Sequence, residues 1–358
     1  MNKVSVKKIF SWLVFAFALQ FNAHSNDLDQ GLIAARSKNY LEAERLWSGE
    51  AEKGNTVAAH NLAGIYLSGV LGAPNYKKAL ELLNQGAAAS NVDSYISLGY
   101  LYLNGLGVGK DAGKSLDYFK RAAEAGNIEG KYRYAEAVLK NSKDPEQLKT
   151  ALLYVQDAGK ASYPPALNAI GGMLGSGIFI QKNIPKSIEY YELAASSGYS
   201  ESALTLGEIY LNGHEVERDI GKSEKWYAKA ADLGSANANY IMGYILTNKK
   251  TPSNDDLAKG YQYYLKAANM WHEKAQTELA KMLYQGKGAK RDLKQAMKWL
   301  NLAASSGNEE AHYLRAIVAL DLSKSEISQA KSDAKKWFDN NHARPHTHSN
   351  GVQNHNLH

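Results

Sequence analysis

Apolar residues along this chain return at helical spacing, and the whole pattern returns about every 36 residues. In the clearest copy, residues 92–127, the side chains of Leu98, Leu101 and Tyr102 fall on one face of a predicted helix. A glycine-rich turn follows, and a second amphipathic stretch that contains Phe119 completes the unit. Each copy is therefore predicted to be a pair of helices joined by a tight turn.

Seven consecutive units share one register. The first-helix anchor reads LAGIYLSG from Leu62, LGYLYLNG from Leu98, LGEIYLNG from Leu206 and LAKMLYQG from Leu279. The units are residues 56–91, 92–127, 128–163, 164–199, 200–235, 236–272 and 273–308. Residues 26–55 and 309–340 fit the register less well and are predicted to be capping helices, because end units must turn one face to water. The fold class predicted is an all-α solenoid of antiparallel helix pairs.

Small residues recur where the two helices of a unit would touch. Gly99 in the first helix and Ala122-Ala123 in the second allow a close approach of the backbones. A larger side chain there would overpack the contact, at a cost of about 1–3 kcal/mol. Gly105 suits a turn conformation with positive φ, and Asp111 can cap the free amides of the second helix.

This arrangement resembles the Sel-one-like repeat (SLR) family, a tetratricopeptide-like (TPR-like) α-solenoid subfamily. The residues that match are Leu98-Gly99-x-x-Tyr102-x-x-Gly105-x-Gly107-Val108, then Asp111, Lys114, Tyr118 and Ala122-Ala123-x-x-Gly126. The resemblance covers about residues 56–308. It implies a right-handed superhelix of antiparallel helix pairs and an adaptor role in signalling, secretion, envelope assembly or host interaction. Units 128–163 and 236–272 depart from the family pattern, because their turns lack the glycines.

Residues 1–25 have the layout of a cleaved secretory signal peptide. Three lysines form a positive start, residues 9–21 are mainly apolar and uncharged, and Ala23 and Ser25 are small residues at the cleavage positions. The alternative is an uncleaved membrane anchor, but the apolar run is shorter than the ~20 residues that a spanning helix needs. We therefore expect an exported chain, periplasmic or secreted, with no integral membrane span after cleavage.

Charge and cysteine content narrow the function classes. The chain has a net charge of +6, and loss of the three lysines in residues 1–25 leaves about +3, too weak to suggest a nucleic-acid partner. There is no cysteine, so the chain has neither a disulfide framework nor a thiol nucleophile.

No catalytic or cofactor-binding motif is present in the sequence. The run GLGVGK at residues 105–110 lacks the spacing of a phosphate-binding loop, and neither H-E-x-x-H nor G-x-S-x-G occurs. Residues 341–358 contain five histidines in a polar stretch that is predicted to be a disordered tail, and its metal binding is left open. Some SLR relatives are assigned penicillin binding or hydrolysis, but those carry cysteine pairs in each repeat. We therefore predict a non-enzyme with no cofactor and no metal site.

Tyrosine is abundant, with 23 residues, and many of them recur at fixed core positions. Two register positions vary instead. One holds Tyr100 and Tyr244 but also Gly64, Glu136, Gly172, Glu208 and Lys281; the other holds Tyr132 and Tyr240 but also His60, Ile96, Asn168, Leu204 and Thr277. A position that changes character between units is not required by packing, and the first helices line the concave face of such solenoids. Tyr100, Tyr132, Tyr240 and Tyr244 are therefore the predicted partner-binding residues.

Together these features predict a protein–protein interaction scaffold of a bacterial-type cell envelope or secreted fraction. It would bind a protein or peptide of unknown identity on its concave face. A carbohydrate or peptidoglycan-associated scaffold, using tyrosine rings against sugars, is the alternative. An envelope hydrolase is the third class to be tested.

Overall fold

The computed structural model of the protein describes residues 26–342, and this part of the chain contains eighteen α-helices and no β-strand. The helices are α1 (Asn26–Arg36), α2 (Tyr40–Glu52), α3 (Thr56–Ser68), α4 (Tyr76–Ala88), α5 (Val92–Asn104), α6 (Ala112–Glu124), α7 (Ile128–Asn141), α8 (Pro145–Lys160), α9 (Pro164–Ser176), α10 (Ile184–Ser196), α11 (Ser200–Asn212), α12 (Ile220–Asp232), α13 (Ala236–Thr247), α14 (Asn254–Asn269), α15 (Glu273–Gln285), α16 (Leu293–Ser305), α17 (Glu309–Leu320) and α18 (Lys324–His342). The predicted all-α class is confirmed. The predicted signal peptide and residues 343–358 of the predicted tail lie outside the described residues.

Helix pairs follow one another along the chain, as a solenoid requires. The pairs from α3–α4 to α15–α16 are the seven predicted units, and they include α7–α8, where residues 142–144 replace the glycine turn. The flanking pairs are α1–α2 and α17–α18. Helix α18 continues to His342, beyond the boundary predicted at residue 340.

Capping side chains set where the helices begin. One repeat position supplies the cap of five second helices, through Asn75, Asp111, Asn183, Asp219 and Asp292. The backbone N–H of Lys114, for example, donates to Asp111 Oδ1 at 2.9 Å. This bond satisfies one of the amides that a helix start leaves without a partner. The capping role predicted for Asp111 is confirmed.

A glycine in the first helix lets the two helices of a pair approach closely. The glycine faces an aromatic ring of the second helix in the pairs Gly99–Phe119, Gly207–Tyr227 and Gly243–Tyr264. At each glycine an added Cβ atom would lie 2.6 Å from the nearest ring carbon. Ordinary contacts between carbon atoms lie near 3.5–4.0 Å, so the ring occupies the space that a side chain would need.

The described chain divides into two compact units. The N-terminal unit ends at Ala166, and the C-terminal unit begins at Leu167, within α9. Each unit has its own buried core, which contains Trp47 and Leu98 in the N-terminal unit and Leu279 in the C-terminal unit. Burial of these apolar side chains, and not disulfide bonds, stabilises each unit.

Trp271 departs from the repeat at the end of α14. The equivalent residue has a positive φ in the other units, where it is a small residue: Gly126, Gly198, Gly234, Gly307, Ser90 and Ser162. Trp271 also has a positive φ, 68°, which costs about 1–3 kcal/mol for a residue with a side chain. Its ring lies 4.6 Å from that of Trp337 and 5.3 Å from that of Phe338, measured between centroids. These contacts hold α18 against the preceding repeats and offset the backbone strain.

Candidate functional site

The first helices place equivalent side chains on one side of each unit, which we call the first-helix face. In the N-terminal unit this face includes His60, Tyr100, Glu129, Arg133 and Glu136. In the C-terminal unit it includes Glu208, Tyr240, Tyr244, Glu278 and Lys281. The four tyrosines predicted from the sequence to contact a partner all lie in first helices, but their environments differ.

Tyr100 is almost entirely buried. Its side chain is 6% exposed, and its ring packs edge-on against Phe119 with the centroids 5.3 Å apart. Its hydroxyl donates a hydrogen bond to Glu129 Oε1 of the next first helix at 2.5 Å. Burial raises the pKa of Tyr100 well above its ordinary value, so the hydroxyl stays protonated and acts as a donor.

Tyr132 is buried in the same neighbourhood. It is 7% exposed and packs edge-on against Tyr163, with the ring centroids 5.5 Å apart. The burial of Tyr132 and Tyr100 leaves no open ring for a partner. The prediction of partner contact at these two residues is therefore not supported, because neighbouring repeats already cover them.

Arg133 links the two buried tyrosines. Its guanidinium lies 5.4 Å from the ring centroid of Tyr100 and 5.5 Å from that of Tyr132, within cation–π range. Its Nη1 also donates to Glu136 Oε2 at 3.0 Å. This polar cluster joins α5 to α7 and gives the N-terminal unit a preformed, mixed-charge surface.

Tyr244 has the opposite environment. Its side chain is 50% exposed on α13, and its hydroxyl makes no hydrogen bond within residues 26–342. Tyr240, one turn earlier, is half-buried and stacks on His272 with the ring centroids 4.6 Å apart. Of the four predicted tyrosines, Tyr244 is the one whose ring is open to a partner.

Charged side chains act on Tyr240, which neighbours Tyr244, on the C-terminal part of the face. Lys281 forms ion pairs with Glu278 at 2.8 Å and with Glu310 at 2.6 Å. Glu208 has no ion-pair partner in the described part of the chain, and burial raises its pKa. Around Tyr240, two carboxylates, Glu278 and Glu310, accompany one ammonium group, Lys281, which makes this surface acidic.

Sequence reasoning missed the contributions of Glu129, Arg133 and Glu278. The available signal was their position in the repeat. Glu129 lies one turn before Tyr132 and Arg133 follows Tyr132 directly, while Glu278 lies on the first helix of the unit after Tyr240 and Tyr244. Among residues 26–342, no group of three histidine, aspartate or glutamate side chains is placed to hold a metal ion. No helix within this range is long and apolar enough to cross a membrane.

A profile of the Sel1 repeat matches residues 56–91, 92–127, 164–199, 200–235, 236–270 and 273–308, more than half of the chain. The chain belongs to the Sel1 repeat family. Proteins built from such repeats are typically non-enzymatic scaffolds that mediate protein–protein interactions. The unmatched unit, residues 128–163, keeps its helix pair but not the glycine turn of the repeat.

Solved structures agree with this assignment. A Sel1 repeat protein from Oxalobacter formigenes is 27% identical, with a TM-score of 0.56, over 87% of this chain and 86% of that one. A protective antigen present in uropathogenic Escherichia coli strains, displaying an SLR fold, is 21% identical, with a TM-score of 0.50, over 92% and 88%. The second likeness concerns the fold alone. A comparison with curated proteins found no match.

Proposed function

We propose that this Sel1 repeat protein is a non-catalytic scaffold that binds a protein or peptide segment on its first-helix face, with Tyr244 as an anchor. The observation that carries the proposal is the exposure of Tyr244, 50%, at a position where Tyr100 is buried and the other units have glycine, glutamate or lysine. A large exposed aromatic side chain with an unused hydroxyl is typical of residues that dominate binding energy in protein interfaces.

The acidic surface around Tyr240, which neighbours Tyr244, indicates the chemistry of the partner segment. Glu278 and Glu310 outnumber Lys281 on this surface. Complementary charge favours association and excludes partners of the same sign. The segment bound is therefore proposed to carry basic side chains beside an apolar or aromatic residue.

We also propose that the chain acts in the cell envelope or the secreted fraction. The support is the sequence pattern of residues 1–25, a positive start followed by an apolar run and a small-residue cleavage site. A fusion of these residues to a reporter that is active only after export would test the localisation. Retention of the reporter in the cytoplasm would contradict it.

The binding proposal is tested by affinity capture from the envelope fraction of the source organism, followed by titration calorimetry with the partner that is captured. Tyr244→Ala should weaken the partner's affinity by about tenfold or more, and raised salt should weaken it further. The matched control is Leu193→Ala, because Leu193 is 49% exposed and lies in the same C-terminal compact unit, but on the second helix of another repeat.

Three outcomes would contradict parts of this proposal. Equal losses for the Tyr244 and Leu193 variants would remove Tyr244 as the anchor. Retention on purified peptidoglycan that Tyr244→Ala abolishes would favour the carbohydrate-associated scaffold instead. Turnover of esters or β-lactams that survives repurification would overturn the non-catalytic assignment.

A further inference from the structure

The C-terminal unit contains a cleft of about 790 Å³ away from the first-helix face. Its walls come from the second helices α14 and α16, the turn before α16, and helix α18. The cleft exists because α18 is held near α14 and α16 through Trp337, whose ring lies 4.6 Å from Trp271 and 5.4 Å from Trp299. Its volume falls within the range of protein sites that enclose small ligands or peptide ends.

One wall of the cleft is apolar. The apolar side chains that line the cleft are Tyr261 and Leu265 of α14, Trp299 of α16, Leu322, and Trp337 of α18. Tyr261, Leu265, Leu322 and Trp337 are half-buried, so part of each side chain remains open to the cleft. This wall suits a branched or aromatic group.

The acidic residues of the cleft are already engaged. Asp292 caps α16, with its Oδ1 accepting from the Gln295 N–H at 2.9 Å. Asp321 pairs with Arg291 at 3.1 Å, and Glu326 accepts from the Ser323 N–H at 2.9 Å in the cap of α18. Because Arg291 already forms an ion pair with Asp321, the lysines are the cationic side chains of the cleft that can pair with a ligand.

Three lysines line the cleft: Lys290, Lys294 and Lys298. None of them has an ion pair or hydrogen bond within residues 26–342, although Glu326 and Asp333 act on Lys294 and Lys298 at longer range. Lys298 is the most enclosed, half-buried with its Nζ 4.7 Å from the ring centroid of Trp299. Burial lowers its pKa, and the charge of Asp333 opposes this shift.

The register shows that packing does not require a lysine at this position. The equivalent residues of other second helices are Glu81, Asp117, Glu189 and Lys225. Lys225 is exposed, whereas Lys298 is partly enclosed. Partial burial of an ammonium group that forms no ion pair is costly, and a bound anion would offset part of that cost.

We propose that this cleft binds the free C-terminal end of a protein whose last residue is apolar, with the terminal carboxylate on Lys298. The last side chain lies against the apolar wall of Trp337, Leu265 and Leu322. A polyanion such as nucleic acid is disfavoured, because Asp292, Asp321 and Glu326 border the same cleft. A lone carboxylate carries one charge and needs one cation, which matches the enclosed ammonium of Lys298.

The test uses the full chain and a fluorescein-labelled peptide, Gly-Gly-Ala-Phe, as its free acid and as its C-terminal amide. Fluorescence polarisation should show the acid binding about tenfold or more tightly than the amide, because only the acid carries the charge. Lys298→Met keeps the length of the side chain and should remove this preference. Lys225→Met, at the same repeat position, should leave the preference unchanged.

Several results would overturn the proposal. Equal binding of acid and amide, or no binding of either, would exclude a carboxylate site in the cleft. An unchanged preference in Lys298→Met, with circular dichroism confirming the fold, would assign the charge recognition elsewhere. Tighter binding of 3-phenylpropionate than of the peptide acid would identify a small-acid site and not a chain-end site. None of these outcomes depends on Tyr244.

Discussion

Replacing Gly207 by alanine tests the close helix approach on which the repeats depend. An added Cβ would lie 2.6 Å from Cδ1 and Cε1 of the Tyr227 ring and 3.0 Å from its Cγ. Because ordinary contacts lie near 3.5–4.0 Å, the ring must move by about 1 Å. Tyr227 is only 1% exposed, so its ring cannot swing into solvent to make room.

Two effects of opposite sign act in this variant. Alanine favours a helix over glycine by about 0.8–1 kcal/mol, and overpacking costs about 1–3 kcal/mol. Gly49 of α2 supplies the matched control, because a Cβ there would meet no atom within 4 Å. The gain in helix propensity from glycine to alanine is common to both variants. The free energy of unfolding of Gly207→Ala should therefore lie about 1–3 kcal/mol below that of Gly49→Ala.

Urea denaturation followed by circular dichroism measures this difference, and amide hydrogen exchange locates it. Exchange should quicken in α11 and α12 of Gly207→Ala and stay unchanged in the N-terminal unit. Adding Tyr227→Leu should couple favourably with Gly207→Ala in a double-mutant cycle, because the smaller side chain opens space. Equal stability of the Gly207 and Gly49 variants would refute the packing argument.

Three further predictions concern separate parts of the chain. Burial, opposed by the charge of Asp93, lowers the pKa of His60 below 6.5. The stabilisation from neutral His60 should be present above pH ~6.5 and lost as the pH falls below it, and in His60→Gln the free energy of unfolding measured by denaturation should depend less on pH. Hydrogen bonds from Lys249 and from the α14 cap lower the pKa of Asp256 to about 2. The free energy of unfolding should therefore fall as the pH drops from ~4 towards ~2, and circular dichroism should show that this fall is absent in Asp256→Asn. Trp271→Gly relieves a strained φ of 68° but removes the contact with Trp337; amides of α18 should then exchange faster, and unchanged exchange would show that Trp271 does not hold the helix.

Most of the fold followed from the register of the sequence. The recurring glycine and alanine positions predicted the helix pairs, and the pair α7–α8 formed where the glycine turn was missing. The docking of α18 could not be predicted in the same way. It depends on Trp271 in a left-handed conformation that tryptophan rarely adopts, and on contacts with residues far along the chain.

The site was predicted less completely, and the reason is physical. Variation at a register position shows that packing within one pair does not fix the residue. It does not show whether the next repeat covers that residue. Glu129 and Arg133 of α7 cover Tyr100, whereas no such pair covers Tyr244, which stays half exposed.

Functional residues in this chain are therefore best sought at repeat positions where one unit has a different side chain or environment from the others, and where that side chain is not used in packing. Tyr100 differs from Gly64 and Glu136 at its position, but its ring and hydroxyl are both used inside the N-terminal unit. Tyr244 shares its position with the buried Tyr100 but is half exposed, and Lys298 shares its position with the exposed Lys225 but is half-buried; each keeps a polar group without a hydrogen-bonding partner among residues 26–342. A repeat fold can keep such groups, because the stability of each pair comes from glycine, alanine and aromatic positions that they do not occupy. The binding proposed at these two residues can thus change in specificity without altering the contacts that build the solenoid.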